Sequence, residues 1–305
     1  MNGMPNQSIR YLYPLLGPFI FFWIMFWLLP LGFGINLSLQ DPSSGITNIA
    51  GEKVQYVGFE NFTRTISDPK FHKALGNTMW YVVGSILFIL PIAFFLSLAL
   101  FELSRFLRGI IAFCLLIPGL ALPGAMSKLF YLFFHGREGA LNQYFVIPFG
   151  FDPINWMMDP DFIMPSLVMQ AVWRWTGVVT LFFLCGLEGI PRWQFELAKL
   201  EGFTNFKKVR LIFLPGLRNL ALFVSVFLIV DGVAAFSGAY TLLGGSGGML
   251  DSGLLLVTYV YQVAFPGGSG RFDLPGAAAM SLLVAPLIGG VLFTILKTRT
   301  LLKKV

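Results

Sequence analysis

Apolar residues along this chain fall in long unbroken runs, unlike the alternation of a half-buried strand or the one-sided stripe of a surface helix. Six runs reach the roughly 20 residues that a helix needs to cross the hydrocarbon core of a bilayer. They cover residues 11–39, 75–101, 109–134, 165–187, 220–243 and 275–297. Lipid offers no partner to backbone N–H and C=O groups, so each run must be helical. The first run is too long for a cleavable secretory segment, whose apolar part spans about 7–15 residues, and is expected to stay as an anchor. Its Pro14, Pro18 and Pro30 predict kinks or unwound turns. The expected fold is all-α, with six transmembrane helices in a single domain over residues 1–305.

Composition agrees with the pattern. The chain is 56% hydrophobic and 12% charged, with a mean hydropathy of +0.75, which excludes an ordinary water-soluble fold. Charge then orients the spans. If the amino terminus is inside, Arg10, Arg105, Arg108, Arg192, Lys199, Lys207, Lys208, Arg210, Arg218, Lys297, Arg299, Lys303 and Lys304 are cytoplasmic, which is 13 of the 21 Lys and Arg residues. Only Glu102, Glu188, Glu196 and Glu201 join them, so the positive-inside rule predicts that both termini are cytoplasmic. The net charge of +6 is an orientation signal, and no nucleic-acid partner is needed to account for it.

Candidate chemistry is sparse. Cys114 and Cys185 fall inside predicted spans, where a thiol behaves as a small apolar residue. His72 and His135 fall in separate predicted external loops without Cys at zinc spacing and read as ordinary loop residues. No G-x-x-x-x-G-K-[ST] phosphate loop occurs, and the cluster Gly244, Gly245, Gly247 and Gly248 lacks a following Lys, so it reads as an external bend. No cofactor is expected on this chain.

The predicted cytoplasmic connection, residues 188–219, is longer than a passive link requires. It reads as two short amphipathic helices: residues 195–200 are helix-prone, Gly202 permits a sharp turn, and Phe203, Phe206, Val209 and Phe213 recur at helical spacing. Lys207, Lys208 and Arg210 would take the other face, and Pro215 would end the second helix before the fifth span. Such a helix could also rest on lipid headgroups.

Here the chain resembles the inner-membrane permeases of binding-protein-dependent ABC importers, whose shared loop runs E-A-A, three residues, G, nine residues, I-x-L-P. Glu196, Ala198, Gly202, Ile212, Leu214 and Pro215 hold the matching positions with the nine-residue gap kept, while Leu197 replaces the first alanine and Glu201-Gly202-Phe203 stands where D-G-A is common. A type I importer permease fold with a cytoplasmic coupling helix near residues 196–209 is what the resemblance implies. Glu196, Ala198, Glu201, Gly202, Phe203, Phe206, Ile212, Leu214 and Pro215 would then form or support the surface that docks on an ATPase subunit. Implied partners are a second permease subunit, two ATPase subunits carrying ATP and Mg, an external solute-binding protein, and the lipid bilayer.

Other segments resemble the sugar-type branch of that family, the maltose-permease-like and glycerol-phosphate-permease-like group. These are Val57-Gly58-Phe59-Glu60-Asn61-Phe62, then Asp68-Pro69-Lys70-Phe71 with Ala74 and Asn77-Thr78, then Tyr240-Thr241-Leu242-Leu243-Gly244-Gly245. Tyr259, Tyr261 and Gly276-Ala277-Ala278-Ala279-Met280-Ser281 continue the likeness after a Gly-rich stretch over residues 266–271. The small residues opening the sixth span read as helix packing.

Asp231 is the costly residue of the map, since a carboxylate within a span faces protein or water. It reads either as a pathway residue accepting hydrogen bonds from solute hydroxyls or as a structural carboxylate paired with Arg174, Lys128 or a partner permease. Gln170, Trp173, Arg174, Trp175, Ser237 and Tyr240 could line the external half of the same cavity, with an interfacial belt the preferred reading for the tryptophans. An ion-coupled secondary transporter is the alternative function, and it leaves the 188–219 motif unexplained. A membrane enzyme lacks a catalytic constellation.

Overall fold

The computed structural model describes residues 16–43, 54–265 and 272–302. Arg10, Pro14, the 266–271 stretch, Lys303 and Lys304 lie outside them. Among the described residues the elements are helical: α1 Leu16–Ser38, α2 Glu60–Ile66, α3 Pro69–Phe101, α4 Arg105–Leu120, α5 Pro123–Phe133, α6 Pro160–Glu188, α7 Arg192–Leu200, α8 Asn205–Val233, α9 Ser237–Leu242, α10 Leu256–Ala264 and α11 Leu274–Leu302. Helices α1, α3, α6 and α8 are each long and apolar enough to cross a bilayer. The sixth predicted run falls within α11.

The third predicted span is not one straight helix. It is the pair α4 and α5, bent by 97° at the break between them. Prolines bracket the break: Pro118 lies inside α4, and Pro123 opens α5 at a position whose N–H has no intrahelical partner. The fifth predicted span differs too. It reaches back as α8 to Asn205 and stops at Val233, with α9 following after a short break.

Pro215 therefore does not end a helix, contrary to expectation. The turn before it, Val209–Phe213, is a π-helix in which the Leu214 N–H bonds the Val209 carbonyl. That wider turn takes in the carbonyl of Leu211, against which the proline ring would otherwise clash. The same device precedes Pro30: Ile24–Leu28 is a π-helix, with the Leu29 N–H bonded to Ile24. Expected unwinding near Pro30 thus takes the form of a widened turn within α1.

The chain falls into two compact units, one of Met1–Asp68 with Val260–Leu287 and one of Pro69–Tyr259 with Ile288–Val305. In the first, Asn61 is buried; its side-chain amide donates to the carbonyls of Ser38 and Gln40 at 2.8 and 2.7 Å and accepts from Arg64 at 2.9 Å. Arg64 also pairs with Asp273, whose carboxylate accepts from the Gly276 N–H near the start of α11. Ala277, Ala279 and Met280 are buried, in keeping with the packing reading of that small-residue stretch.

In the second unit α3 and α6 form the main helix pair, with α4 and α8 packed on α6. Gly177 lets α4 approach closely, since a Cβ there would overlap the Leu115 carbonyl oxygen. One core gathers Ile89, Phe183, Leu187, Ala198, Ile212 and Leu217. A second gathers Phe130, Phe134, Val146, Trp156, Leu167 and Leu255. Cys114 and Cys185 lie on helices as expected, but their side chains are exposed on the chain rather than buried. His72 lies in the first turn of α3, not in a loop. No cluster of His, Cys, Asp and Glu fit for a metal ion occurs among the described residues.

Candidate functional site

Two sites emerge in the second unit. The first is the turn that joins α7 to α8. Glu201 closes α7, Gly202 follows with φ +63°, and Phe203 N–H donates to the Ala198 carbonyl at 2.8 Å while Gly202 N–H donates to Lys199 at 3.2 Å. Those two bonds form a Schellman motif, which satisfies the last helix carbonyls and requires a left-handed residue at Gly202. Thr204 then caps α8, its hydroxyl accepting from Lys207 N–H. The residue after the glycine in such a motif normally packs on the preceding helix. Phe203 does so, resting against the core that contains Ala198, with Lys207 over its ring at 5.7 Å.

Ala198 is 1% exposed, which explains a small residue at that place in the motif. Phe195 stacks on Phe101 at 5.9 Å and meets Phe213 at 5.9 Å, so aromatic contacts tie α7 to the end of α3 and to α8. Ile212 is buried in the same core, while Leu214 and Pro215 are exposed. Glu196, Leu197, Leu200, Glu201 and Phe206 are exposed, as is Trp193, which sequence reasoning did not single out. The expected shared face of Phe206 and Phe213 is not formed, because the π turn between them changes the helical register. Phe206 points away from the core that receives Phe213.

The second site is a cavity of about 220 Å³ lined by residues of α3, α5, α6, α8 and α9 and of the loops near them. Asp231, Gln170, Trp173, Arg174, Trp175 and Ser237 all line it. Tyr240 does not: it packs on Phe236 at 4.9 Å, and its carbonyl accepts from Gly245 N–H at 2.7 Å, so it belongs to the glycine-rich bend. Among the described residues Asp231 makes no ion pair with Arg174 or Lys128; its Oδ2 accepts from Trp175 Nε1 at 2.7 Å. The Arg174 guanidinium lies 4.9 Å over the Trp175 ring. Trp175 also meets Phe227 edge-on at 5.0 Å. The bond to Asp231 and the packing on Phe227 place Trp175 against the cavity carboxylate.

Gln170 is fixed by a relay that the sequence did not reveal. Its amide donates to Ser127 Oγ at 2.9 Å, and Ser127 in turn bonds the Gly238 carbonyl at 2.9 Å. Tyr81 on α3 also lines the cavity, a place its apolar surroundings in the sequence conceal. Residues Asn77 and Thr78 of the branch motif are clamps: Asn77 donates to the carbonyls of Asp251 and Leu254, and Thr78 Oγ1 accepts from Leu256 N–H at 2.9 Å. They hold the chain on either side of Leu255, which is itself part of the lining.

The helices and the two sites define a multi-pass membrane protein with a polar cavity among its spans and a structured turn beyond them. The chain belongs to the family described as binding-protein-dependent transport system inner membrane component, whose model matches residues 89–300. It is 31% identical over 246 residues to the arabinooligosaccharides transport system permease protein AraP of Bacillus subtilis (strain 168), covering 80% of this chain and 75% of that protein. It is 27% identical to the lactose transport system permease protein LacF of Rhizobium radiobacter, covering 70% and 72%. Its fold matches a chain of a bacterial ABC transporter involved in the import of the acidic polysaccharide alginate, with a TM-score of 0.79, 19% identity and 96% of each chain covered. A type I importer permease architecture is thereby established, in a multi-pass protein of the inner membrane.

Proposed function

We infer that this chain is one permease subunit of an ATP-driven importer for a sugar or a related polyol or glycoside, with α7 and the Gly202 turn as its coupling handle. One observation carries the reading: the turn continues directly into α8, and the same helix carries Asp231 at the cavity. The sugar class is supported by the names of relatives that transport arabinooligosaccharides and lactose. ATP and Mg belong to two separate ATPase subunits, a second permease completes the pathway, and an external solute-binding protein delivers the solute. Both termini are cytoplasmic, and the chain itself binds no cofactor.

In this mechanism the exposed faces of Glu196, Leu197, Leu200 and Phe206 meet the ATPase, while Ala198, Phe203 and Ile212 brace the handle from behind. Nucleotide-driven closure of the ATPases moves the handle as a rigid body, provided the ATPases grip it differently in their two states. Asp231, Gln170, Trp173, Arg174 and Ser237 would meet the passing solute, with carboxylate and amide groups for hydroxyls and aromatic faces for sugar C–H surfaces. Purification in mild detergent tests the assignment. A co-purifying ATPase and vanadate-sensitive uptake of a sugar are expected; gradient-driven, vanadate-insensitive uptake would establish a secondary transporter instead.

A further inference from the structure

The segment between α5 and α6 has its polarity inverted. Residues 139–151 contain no charged side chain, although Arg137 and Glu138 precede them and Asp152 comes directly after. Asn142 is fully buried and acts as the internal fastener: its amide donates to the carbonyls of Gly136 and, at 2.9 Å, Ile154, and its oxygen accepts from Trp156 Nε1 at 2.9 Å. Val146 enters the core beside Phe130 and Phe134. With those two turned inward, the outward side carries Tyr144, Phe145, Ile147, Phe149 and Phe151, with Tyr144 and Phe149 each 74% exposed. A water-facing loop would show the reverse.

We propose that residues 144–151 form a foot that lies in the headgroup and upper acyl region of the bilayer, in the leaflet opposite the 188–219 connection. Placement selects lipid over another protein. The segment runs from α5, which is bent 97° away from α4, to the first turn of α6, a 29-residue helix long enough to cross the bilayer, so it lies at the end of a spanning helix. Leu129 and Leu132 of α5, which leads into it, are also exposed, so apolar side chains are presented outward on the preceding helix as well. Aromatic rings concentrate at that depth, and the absence of charge removes the main cost of entering it. The foot would hold the elbow of α4 and α5 at a constant depth while α8 moves.

The test uses the assembled complex in phosphatidylethanolamine and phosphatidylglycerol vesicles, with Cys114 and Cys185 replaced by Ala. Bimane is attached at Phe145→Cys, Phe149→Cys or, as the water-facing control, Glu138→Cys. Lipids brominated near the headgroup end of the acyl chain should quench the probes at 145 and 149 severalfold more than the probe at 138, with aqueous iodide giving the opposite order. Stronger quenching by iodide at 145 and 149 overturns the proposal. Quenching by neither agent, relieved when the other subunits are removed, also overturns it by making the face a protein interface. A second measurement needs no substitution at the foot: photolysis of a shallow diazirine phospholipid with the unaltered chain should label the 139–151 peptide. Label confined to the spanning helices would refute the assignment.

Discussion

The turn over residues 198–204 and the cavity around Asp231 are built in opposite ways. The turn is made by sequence neighbours: Ala198 and Lys199 supply acceptors, Gly202 supplies the left-handed backbone, and Thr204 caps the helix that begins beyond it. The cavity is made by residues that only tertiary packing unites, with Trp175 of α6 donating to Asp231 of α8 and Gln170 of α6 bound through Ser127 of α5 to Gly238 of α9. A locally encoded device tolerates drift elsewhere in the chain, and that suits the coupling role proposed for it. A cavity pooled from several helices changes when any of them shifts, and that suits the pathway role proposed for it.

The sharpest way to break this contrast is at Gly202. Gly202→Val places a β-branched residue at positive φ with no neighbour within 4 Å of the added Cβ, so the penalty of about 1–2 kcal/mol is conformational. Uptake should fall by about tenfold or more while membrane insertion stays normal, whereas Gly202→Asn, which accepts that conformation, should retain most of it. Equal transport by the two variants would show that backbone handedness is not what the handle needs. At the cavity, Asp231→Leu leaves Trp175 Nε1 without its acceptor and should destabilise the protein by about 1–3 kcal/mol, read as a lower melting temperature in detergent. Asp231→Asn keeps an acceptor and should fold. A raised transport KM in that variant, absent from Trp175→Phe, would mark direct contact with solute, and identical behaviour of the two would mark a structural carboxylate.

Smaller effects sharpen the picture. Ser127→Ala removes the bridge between Gln170 and Gly238 and should cost about 1 kcal/mol, with uptake changed by about twofold or less. The smallest is expected outside the spans at Asp41, where the Ser43 hydroxyl and its N–H, the latter at 2.8 Å, hold the carboxyl below the usual carboxylate range. A depressed pKa contributes stability that is present above the unfolded value and lost as pH falls through the folded one. Asp41→Asn should therefore lower the melting temperature slightly at pH 7, and the difference should vanish in strong acid.

The same contrast decides how legible these features were in the sequence. Gly202, Ala198 and their spacing could be read directly, because the motif and the hydrogen bonds that explain it lie within a few residues. Hydropathy could not see the elbow at residues 121–122, since the apolar run continues through it; Pro118 and Pro123, five positions apart, were the available signal. Pro215 misled because its usual effect on a helix was absorbed by the wider turn ahead of it. Around Asp231 the polar and aromatic residues of α6 and Ser237 stand out in the sequence, whereas Tyr81 is hidden in an apolar span and Tyr240, though near Ser237 in sequence, lies outside the cavity lining. Asn77 and Thr78 stood in a recognisable motif, yet their role depends on chain more than 170 positions away.

The unbroken course of α8 has a mechanical corollary. At 1.5 Å per residue, the 26 steps from Asn205 to Asp231 span about 39 Å. Pivoting such a rod by about 5° at one tip sweeps the other through about 3 Å, the length of a hydrogen bond. In the proposed mechanism a small tilt of this helix, carried past the π turn at Val209–Phe213, would be enough to change the neighbours of Asp231.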